Sequence, residues 1–142
     1  MKKRLILGCI AVMMCAVFIV SVSAQTFWNF TEAADIIHAY VNGGAECSVA
    51  IYAQDGSIIT NVNIRLDRVA SGMLFNIASW NNLSAGSILD FSDFVPNVEP
   101  YYSYRLSFTA EVWYNGNVEY LNLHSDVYYT EDTLRASSWI TD

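Results

Sequence analysis

The stretch YYSYRLSFTAEVWYNG, residues 101–116, decides the fold, because two sets of side chains alternate along it without a break. One set is mainly apolar or aromatic: Tyr102, Tyr104, Leu106, Phe108, Ala110, Val112 and Tyr114. The intervening set is mainly polar: Tyr101, Ser103, Arg105, Ser107, Thr109, Glu111 and Trp113. Alternate residues share a face in a strand, whereas a helix would scatter them around its axis. The stretch therefore predicts a long strand that ends at Asn115-Gly116, a pair suited to a two-residue hairpin turn.

The same alternation continues through most of the chain. It is present in residues 45–54, 60–69, 73–80, 88–95 and 118–129. Turn signals such as Asp55-Gly56 and Ser71-Gly72 separate these runs, and neither strand–helix alternation nor a glycine-rich nucleotide loop is present. The pattern predicts an all-β fold: a single antiparallel β-sandwich of six to seven strands, immunoglobulin-like or fibronectin type III-like, over residues 45–130.

Two segments flank the predicted sandwich. Residues 25–44 contain TEAADIIHAY, which fits a short helix capped by Thr31. The same letters fit a first edge strand with Ile36, His38 and Tyr40 on one face, so both alternatives stay open. Residues 131–142 are expected to form a C-terminal tail, which contains Trp139.

The first 24 residues have the three-part pattern of a secretory signal peptide. Basic residues at positions 2–4 precede an apolar run over 5–20, and small residues follow at 22–24. We expect cleavage after Ala24, with a retained membrane anchor as the alternative. The pattern predicts a protein that is secreted or extracellular, including the cell envelope.

The net charge of the chain excludes two classes of partner. After residue 24 the chain has four arginines and no lysine against 14 acidic residues, a net charge of −10. Such a chain repels phosphate backbones and anionic lipid surfaces, so neither nucleic acid nor a membrane surface is expected as a partner. Cys47 is the one cysteine of this part. An internal disulfide is therefore excluded, and the core must supply the stability.

The segment VEPYYSYRLSFTAEVWYNG, residues 98–116, resembles the F strand of fibronectin type III and related immunoglobulin-like domains. This resemblance implies that Tyr102 is the corner tyrosine, whose hydroxyl bonds back to the preceding loop. It also implies that Cys47 occupies the place of the first cysteine of an antibody domain, on the second strand. Tyr104 stands where the second cysteine would be, so the bridge between the sheets is absent.

Two segments together, residues 61–82 and 101–125, resemble an uncharacterised family of small secreted proteins from Gram-positive bacteria. The matching residues are Leu66-Asp67-Arg68, Trp80, Tyr101 to Arg105, Gly116 and Glu119. The resemblance implies a β-sandwich and a secreted protein, and it implies no reaction.

Nothing in the sequence predicts catalysis or a metal site. The two histidines are His38 and His124, and Cys47 alternates inward with apolar residues, as a buried inert thiol would. The acids Asp90, Asp93 and Glu99 lie close in sequence but lack a recognisable calcium-loop spacing. We therefore expect a protein that is not an enzyme, with no catalytic residues, no metal site and no cofactor.

Exposed aromatic side chains give the main functional indication. Trp80, Tyr101, Trp113 and Tyr52 fall opposite the apolar rows of their strands, and exposed aromatics are enriched in binding surfaces. The outer faces of a sandwich also accommodate such rings without any function. The sequence predicts a secreted non-enzymatic protein that mediates protein or cell-envelope interactions. The alternative is a small carbohydrate-binding module that uses Trp80, Trp113 and Tyr101 as a stacking platform.

Overall fold

The computed structural model describes residues 28–131, which form two antiparallel β-sheets. The strands are β1 (Thr31–Val41), β2 (Gly44–Ala53), β3 (Ile58–Ala70), β4 (Met73–Ala85), β5 (Ile88–Pro96), β6 (Ser103–Tyr114) and β7 (Asn117–Tyr128). The predicted all-β class is confirmed for this range. No helix within it could cross a membrane. The predicted signal peptide and Trp139 lie outside the described residues.

The two sheets differ in width. The first has the order β1-β2-β5 and the second the order β4-β3-β6-β7. Of the two alternatives for TEAADIIHAY, the structure has the strand, because β1 pairs with β2 from Thr31 to Val41. Its inward residues Ile36, His38 and Tyr40 are buried. The first sheet therefore begins N-terminal to residue 45.

The stretch that decides the fold forms β6, which pairs with β3 on one side and β7 on the other. Its inward residues are buried as the alternation predicts: Tyr104, Leu106, Phe108, Ala110 and Val112. The hairpin turn is confirmed, since Asn115 and Gly116 have φ values of 50° and 77°. Only residues that tolerate the left-handed region allow a turn this tight, which places Tyr114 opposite Asn117.

The core lies between the two sheets and is made mostly of aliphatic and aromatic side chains. The fully buried large residues are Tyr104, Tyr129, Phe108, Ile51, Ile59, Ile64, Leu66, Leu106, Leu121, Val49, Val62 and Val112. Cys47 is buried beside them and is free. With no cross-link in the described range, this burial is the main source of stability, at roughly 25 cal/mol per Å² of apolar surface.

The tyrosine hydroxyl that bonds back to the preceding loop belongs to Tyr104, and not to Tyr102 as the sequence predicted. The Tyr104 hydroxyl donates a hydrogen bond of 2.7 Å to the carbonyl oxygen of Glu99, five residues earlier. Strand pairing of β6 begins at Ser103, so Tyr102 precedes the strand and its side chain is 40% exposed. Its ring lies 4.8 Å from the guanidinium carbon of Arg68.

A carboxylate holds the start of β1. The Oε2 atom of Glu119, near the start of β7, accepts hydrogen bonds from the backbone N–H groups of Asn29 and Phe30, and Oε1 accepts one of 3.0 Å from Thr31. Hydrogen bonds to an ionised acceptor are stronger than neutral ones. Glu119 therefore joins the first strand to the second sheet.

His38 joins the same two sheets. Its Nε2 lies 2.8 Å from the carbonyl oxygen of Ser125, and its Nδ1 lies 2.6 Å from the hydroxyl of Tyr129. A carbonyl only accepts, so Nε2–H donates to Ser125, and Nδ1 accepts the Tyr129 proton in the neutral ring. Burial lowers the pKa of His38 from 6.5 to about 4, although the Ser125 bond and the charge of Asp126 act in the opposite direction.

We predict that Tyr104→Phe lowers the free energy of unfolding by about 1 kcal/mol or somewhat more, because it removes the bond to Glu99. The matched change Tyr102→Phe keeps the ring over Arg68 and should leave stability within about 0.5 kcal/mol of the wild type. Urea denaturation followed by tryptophan fluorescence measures both. Equal midpoints for Tyr104→Phe and the wild type would show that the bond to Glu99 does not stabilise the fold.

We predict that the fold loses stability as the pH falls from about 6.5 to about 4. Over that interval the unfolded chain takes up a proton on His38 and the folded chain does not, so the loss reaches about 3 kcal/mol. Denaturation at pH 7.5, 5.5 and 4.5 measures it. The free energy of unfolding is compared between the wild type and His38→Gln at each pH, because the difference in its pH dependence gives the contribution of His38 without that of the carboxylates. The same change at the exposed His124, His124→Gln, is the control. Parallel pH profiles for wild type and His38→Gln would contradict the prediction.

Candidate functional site

The four aromatic residues singled out in the sequence do not form one surface. Tyr52 is exposed on the outer face of the three-stranded sheet, whereas Trp113 is exposed on the outer face of the four-stranded sheet. Tyr101 precedes β6 and Trp113 lies near its other end, so the strand from Ser103 to Trp113, roughly 33 Å long, lies between them. The three rings of the predicted sugar platform therefore do not stack together.

Trp80 takes part in packing between the sheets. Its Nε1–H donates a hydrogen bond of 2.7 Å to Oδ2 of Asp93 on β5. Its ring meets that of Phe91 edge-on, with 5.2 Å between centroids. Trp80 is partly buried against the core. These contacts give the side chain a structural role in joining β4 to β5.

Trp113 remains an exposed ring with a local partner. Its side chain is 39% exposed, and Nε1–H donates a hydrogen bond of 3.2 Å to Oε2 of Glu111 on the same strand. Ile58, opposite it on β3, is 55% exposed. The pair forms a small apolar patch at the end of the sandwich that carries Gly116.

The folded chain places Cys47 next to His38, an arrangement that the sequence did not reveal. The two residues are opposite each other on β2 and β1, and both side chains are buried. Burial first, and the charge of Asp93 second, raise the pKa of the Cys47 thiol to about 12. Both His38 nitrogens are already engaged with Ser125 and Tyr129. A neutral thiol beside a fully bonded imidazole is unsuited to nucleophilic catalysis.

We predict that Cys47 in the native protein reacts with a thiol reagent such as dithionitrobenzoate at pH 8 at least about 100-fold more slowly than in urea, because the thiolate is scarce and buried. The unfolded protein supplies the reference rate. Labelling at the same rate in native buffer would show that the thiol is exposed.

The acidic residues considered for calcium are dispersed. Both Asp93 carboxylate oxygens accept hydrogen bonds, one from Trp80 and one of 2.8 Å from the backbone N–H of Phe94. Asp90 lies on the opposite side of the β5 strand from Asp93, and Glu99 lies near Arg68. Between residues 28 and 131, no three side chains from His, Cys, Asp or Glu come together as potential metal ligands.

Strand β4 exposes a row of large apolar residues that sequence reasoning did not single out. Met73 is 57% exposed, Leu74 46%, Phe75 42% and Ile77 41%. Alternation over residues 73–80 would put Met73, Phe75 and Ile77 on one face, yet most residues of β4 are exposed on both faces. The reason is position: β4 is an edge of the four-stranded sheet, and its contacts with β5 lie farther along the strand, at Trp80.

The β4 edge also lacks charge. Its 13 residues, MLFNIASWNNLSA, include no acidic or basic side chain and no proline. The other three edge strands all carry carboxylates: Glu32 and Asp35 on β1, Asp90 and Asp93 on β5, Glu119 and Asp126 on β7. Natural edges are usually protected by such charges against pairing with another strand. The absence of charge over 73–85 was the sequence signal that could have identified this edge.

Three register shifts limit the flat part of the edge. The β3–β4 register shifts between Leu66 and Asp67, which leaves Ile77 as an extra residue on β4, and shifts twice more beyond Trp80. At the first bulge the Asn76 amide donates to Oδ1 of Asp67 and to the carbonyl of Ala78, both at 3.1 Å. The regular segment available to an added strand is therefore Met73–Asn76, which holds three of the exposed apolar residues.

The two faces of this segment differ. Phe75 pairs with Arg68, which pairs with the inward Tyr104, so Phe75 lies on the inner side. The guanidinium carbon of Arg68 is 5.8 Å from the Phe75 ring centroid. Leu74 pairs with Val69 on the outer side. An added strand would thus meet aromatic and charged groups on one face and aliphatic groups on the other.

Two solved structures are weakly similar to this one. The crystal structure of Spo0M, a sporulation control protein from Bacillus subtilis, is matched over 80% of this chain and 56% of that chain, with 13% identity and a TM-score of 0.44. A protein from Archaeoglobus fulgidus is matched over 68% of this chain and 94% of that chain, with 10% identity and a TM-score of 0.41. The chain thus spans little more than half the length of Spo0M. No family model and no curated protein matches it.

Proposed function

We propose that this protein is a secreted, non-enzymatic β-sandwich that binds an extended segment of another protein along the β4 edge. The observation that carries the proposal is the uncharged edge with Met73, Leu74 and Phe75 exposed. An added strand would satisfy the outward N–H and C=O groups of β4 and cover these side chains. Protein contacts outside the cell or in the cell envelope are its function.

The strand arrangement supports an immunoglobulin-like or fibronectin type III-like assignment. Three strands, β1-β2-β5, face four, β4-β3-β6-β7, and the Tyr104 hydroxyl bonds back to Glu99 as a corner tyrosine does. Domains of this architecture commonly act by binding. The proposed secretion is supported by the signal-peptide pattern of residues 1–24.

A protein segment fits the edge better than a lipid or a sugar does. The hydrocarbon of a membrane cannot hydrogen-bond the outward backbone groups of β4, whereas a strand can. The acidic charge also repels anionic lipid surfaces. For a carbohydrate module, Trp113 offers one ring beside Ile58, and Trp80 is already bonded to Asp93. The sugar alternative therefore has less support.

We predict that Leu74→Lys weakens binding of a partner protein about tenfold or more, since it places a charge at the centre of the docking segment. The wild-type protein is used to capture proteins from the extracellular and envelope fractions, and the captured protein is purified. Calorimetry then compares its affinity for wild type, Leu74→Lys and the control Ile37→Lys. Ile37, on β1, is 45% exposed against 46% for Leu74, which makes the two changes closely matched.

The control variant should bind as the wild type does. Circular dichroism and thermal unfolding check that both lysine variants are folded. A partner that binds Leu74→Lys and the wild type equally well would contradict the proposed site, and so would the absence of any captured protein. Loss of glycan binding in Trp113→Ala, with folding intact, would favour the sugar alternative instead.

A further inference from the structure

Arg68 is paired differently from the other arginines of residues 28–131. Arg105 donates two hydrogen bonds, of 2.7 and 2.8 Å, to one carboxylate, and Arg65 donates one of 2.9 Å to another. Arg68 has an acidic neighbour, Glu99, but their closest atoms are 3.9 Å apart, which is too long for a hydrogen bond. The buried Nε–H of Arg68 has no hydrogen-bond partner in the described range. The fold therefore leaves this guanidinium short of acceptors.

The Arg68 side chain lies on the inner side of the segment Met73–Asn76. Arg68 is opposite Phe75 in the β3–β4 register. Its guanidinium carbon is 5.8 Å from the centre of the Phe75 ring and 4.8 Å from that of the Tyr102 ring. The side chain is 33% exposed, so solvent reaches it in the folded protein. Two rings thus hold a cation beside the segment to which we assign strand binding.

We infer that the segment bound by β4 carries a glutamate on its inner side, and that the glutamate carboxylate pairs with Arg68. The inference rests on the proposed function and gives the chemistry of the partner at that same edge. Side chains of an added strand alternate between its two faces, so the residue opposite Phe75 shares the inner side with it. A carboxylate fits there, because its two oxygens match the paired N–H donors of a guanidinium. Glutamate is favoured over aspartate, because the carboxylate must reach past the Phe75 side chain.

The existing neighbour Glu99 does not occupy Arg68 firmly. The Glu99 side chain is 70% exposed and holds Arg68 without a hydrogen bond. Exposed ion pairs of this kind contribute little to stability. A carboxylate delivered by a docked strand is already held in place by the strand's backbone hydrogen bonds, so it loses less freedom on pairing than Glu99 does.

The net charge of the protein limits how acidic the ligand is. Residues 28–131 contain three basic side chains against 12 acidic ones, so a strand with many carboxylates is repelled. A single carboxylate in contact with Arg68 is a short-range pair, whereas charges more than about 8 Å away are largely screened at physiological salt. We therefore expect one glutamate flanked by uncharged residues.

A second copy of this chain that paired through its own β4 does not supply such a group. The 13 residues of β4 include no acidic side chain. Pairing of two β4 strands would leave both Arg68 guanidinium groups as they are in the single chain. The glutamate must come from a different protein.

The test uses a capped seven-residue peptide, Thr-Thr-Val-Glu-Val-Thr-Thr, which has glutamate on one face of a strand and both valines on the other. Two comparison peptides have glutamine or lysine in place of glutamate. Titration of the isotope-labelled protein, followed by nuclear magnetic resonance, measures the affinities. We expect the wild-type protein to bind the glutamate peptide at least about threefold more tightly than the glutamine peptide, and the lysine peptide most weakly.

Variants of Arg68 locate the contact. In Arg68→Gln the glutamate and glutamine peptides should bind equally, and in Arg68→Glu the lysine peptide should bind most tightly of the three. Arg65→Gln is the matched control, because Arg65 is 52% exposed and lies on the outer side of β3, opposite Ser107. This control should keep the preference for glutamate. Circular dichroism checks folding, and if Arg68→Glu is unstable, the comparison of wild type with Arg68→Gln completes the double-mutant cycle.

Several results would overturn the inference. Equal affinities of the glutamate and glutamine peptides for the wild type would refute the need for a carboxylate. An undiminished glutamate preference in Arg68→Gln would show that another group reads it. Absence of binding by the glutamate peptide at millimolar concentration also counts against it. A carboxylate effect confined to peptides with a free C-terminus would assign Arg68 to a chain end instead of a strand.

The same peptides test the proposed function separately. Leu74→Asn removes an apolar group without adding charge, so it should weaken all three peptides alike. Binding that depends on Leu74 but shows no glutamate preference would keep β4 as the docking edge and refute its pairing with Arg68 alone. Binding that Leu74→Asn leaves unchanged would refute both. Self-association abolished by Leu74→Asn would assign the edge to a second copy, and Leu74-dependent binding to phosphatidylcholine vesicles would assign it to lipid; either result overturns the inference.

Discussion

One residue, Tyr129, connects the two sheets: its ring stacks on Tyr104 of its own sheet, with 4.3 Å between centroids, and its hydroxyl bonds His38 of the other sheet. Tyr104 is fixed by its bond to Glu99, and Tyr129 by its bond to His38. The cluster thus links the loop before β6, the end of β7 and the first strand. In a described range without a disulfide, such packing fixes how one sheet lies on the other.

Alternation in the sequence was enough to predict β6, its hairpin at Asn115-Gly116 and the burial of Cys47. These features depend only on which face of its strand a residue occupies and on the residues of the turn itself. Alternation does not show where pairing starts, so it could not tell whether Tyr102 or Tyr104 bonds back to the preceding loop. Nor does it show which strand lies at a sheet edge. The exposure of residues 73–77 depends on the edge position of β4 and on where β5 contacts it, which are properties of the whole topology.

The candidate site was hidden for the same reason. Exposed aromatics can be recognised in a sequence, but whether they meet depends on strand order and strand ends, and Tyr101 and Trp113 lie at opposite ends of β6. The β4 edge combines two properties that favour a protein ligand: free backbone groups and apolar side chains. Its bulges confine the regular segment to a few residues, which favours a short ligand over a long interface.

The attachment of Asn29 and Thr31 to Glu119 has a geometric consequence. It fixes the entry of the chain at the pole of the sandwich that carries the Gly116 turn, while the β3–β4 tip with Met73 occupies the other pole. A support that held the polypeptide upstream of Trp28 would therefore present that tip distally, toward whatever approaches from solution. The Glu119 carboxylate would then determine how the molecule is oriented on that support.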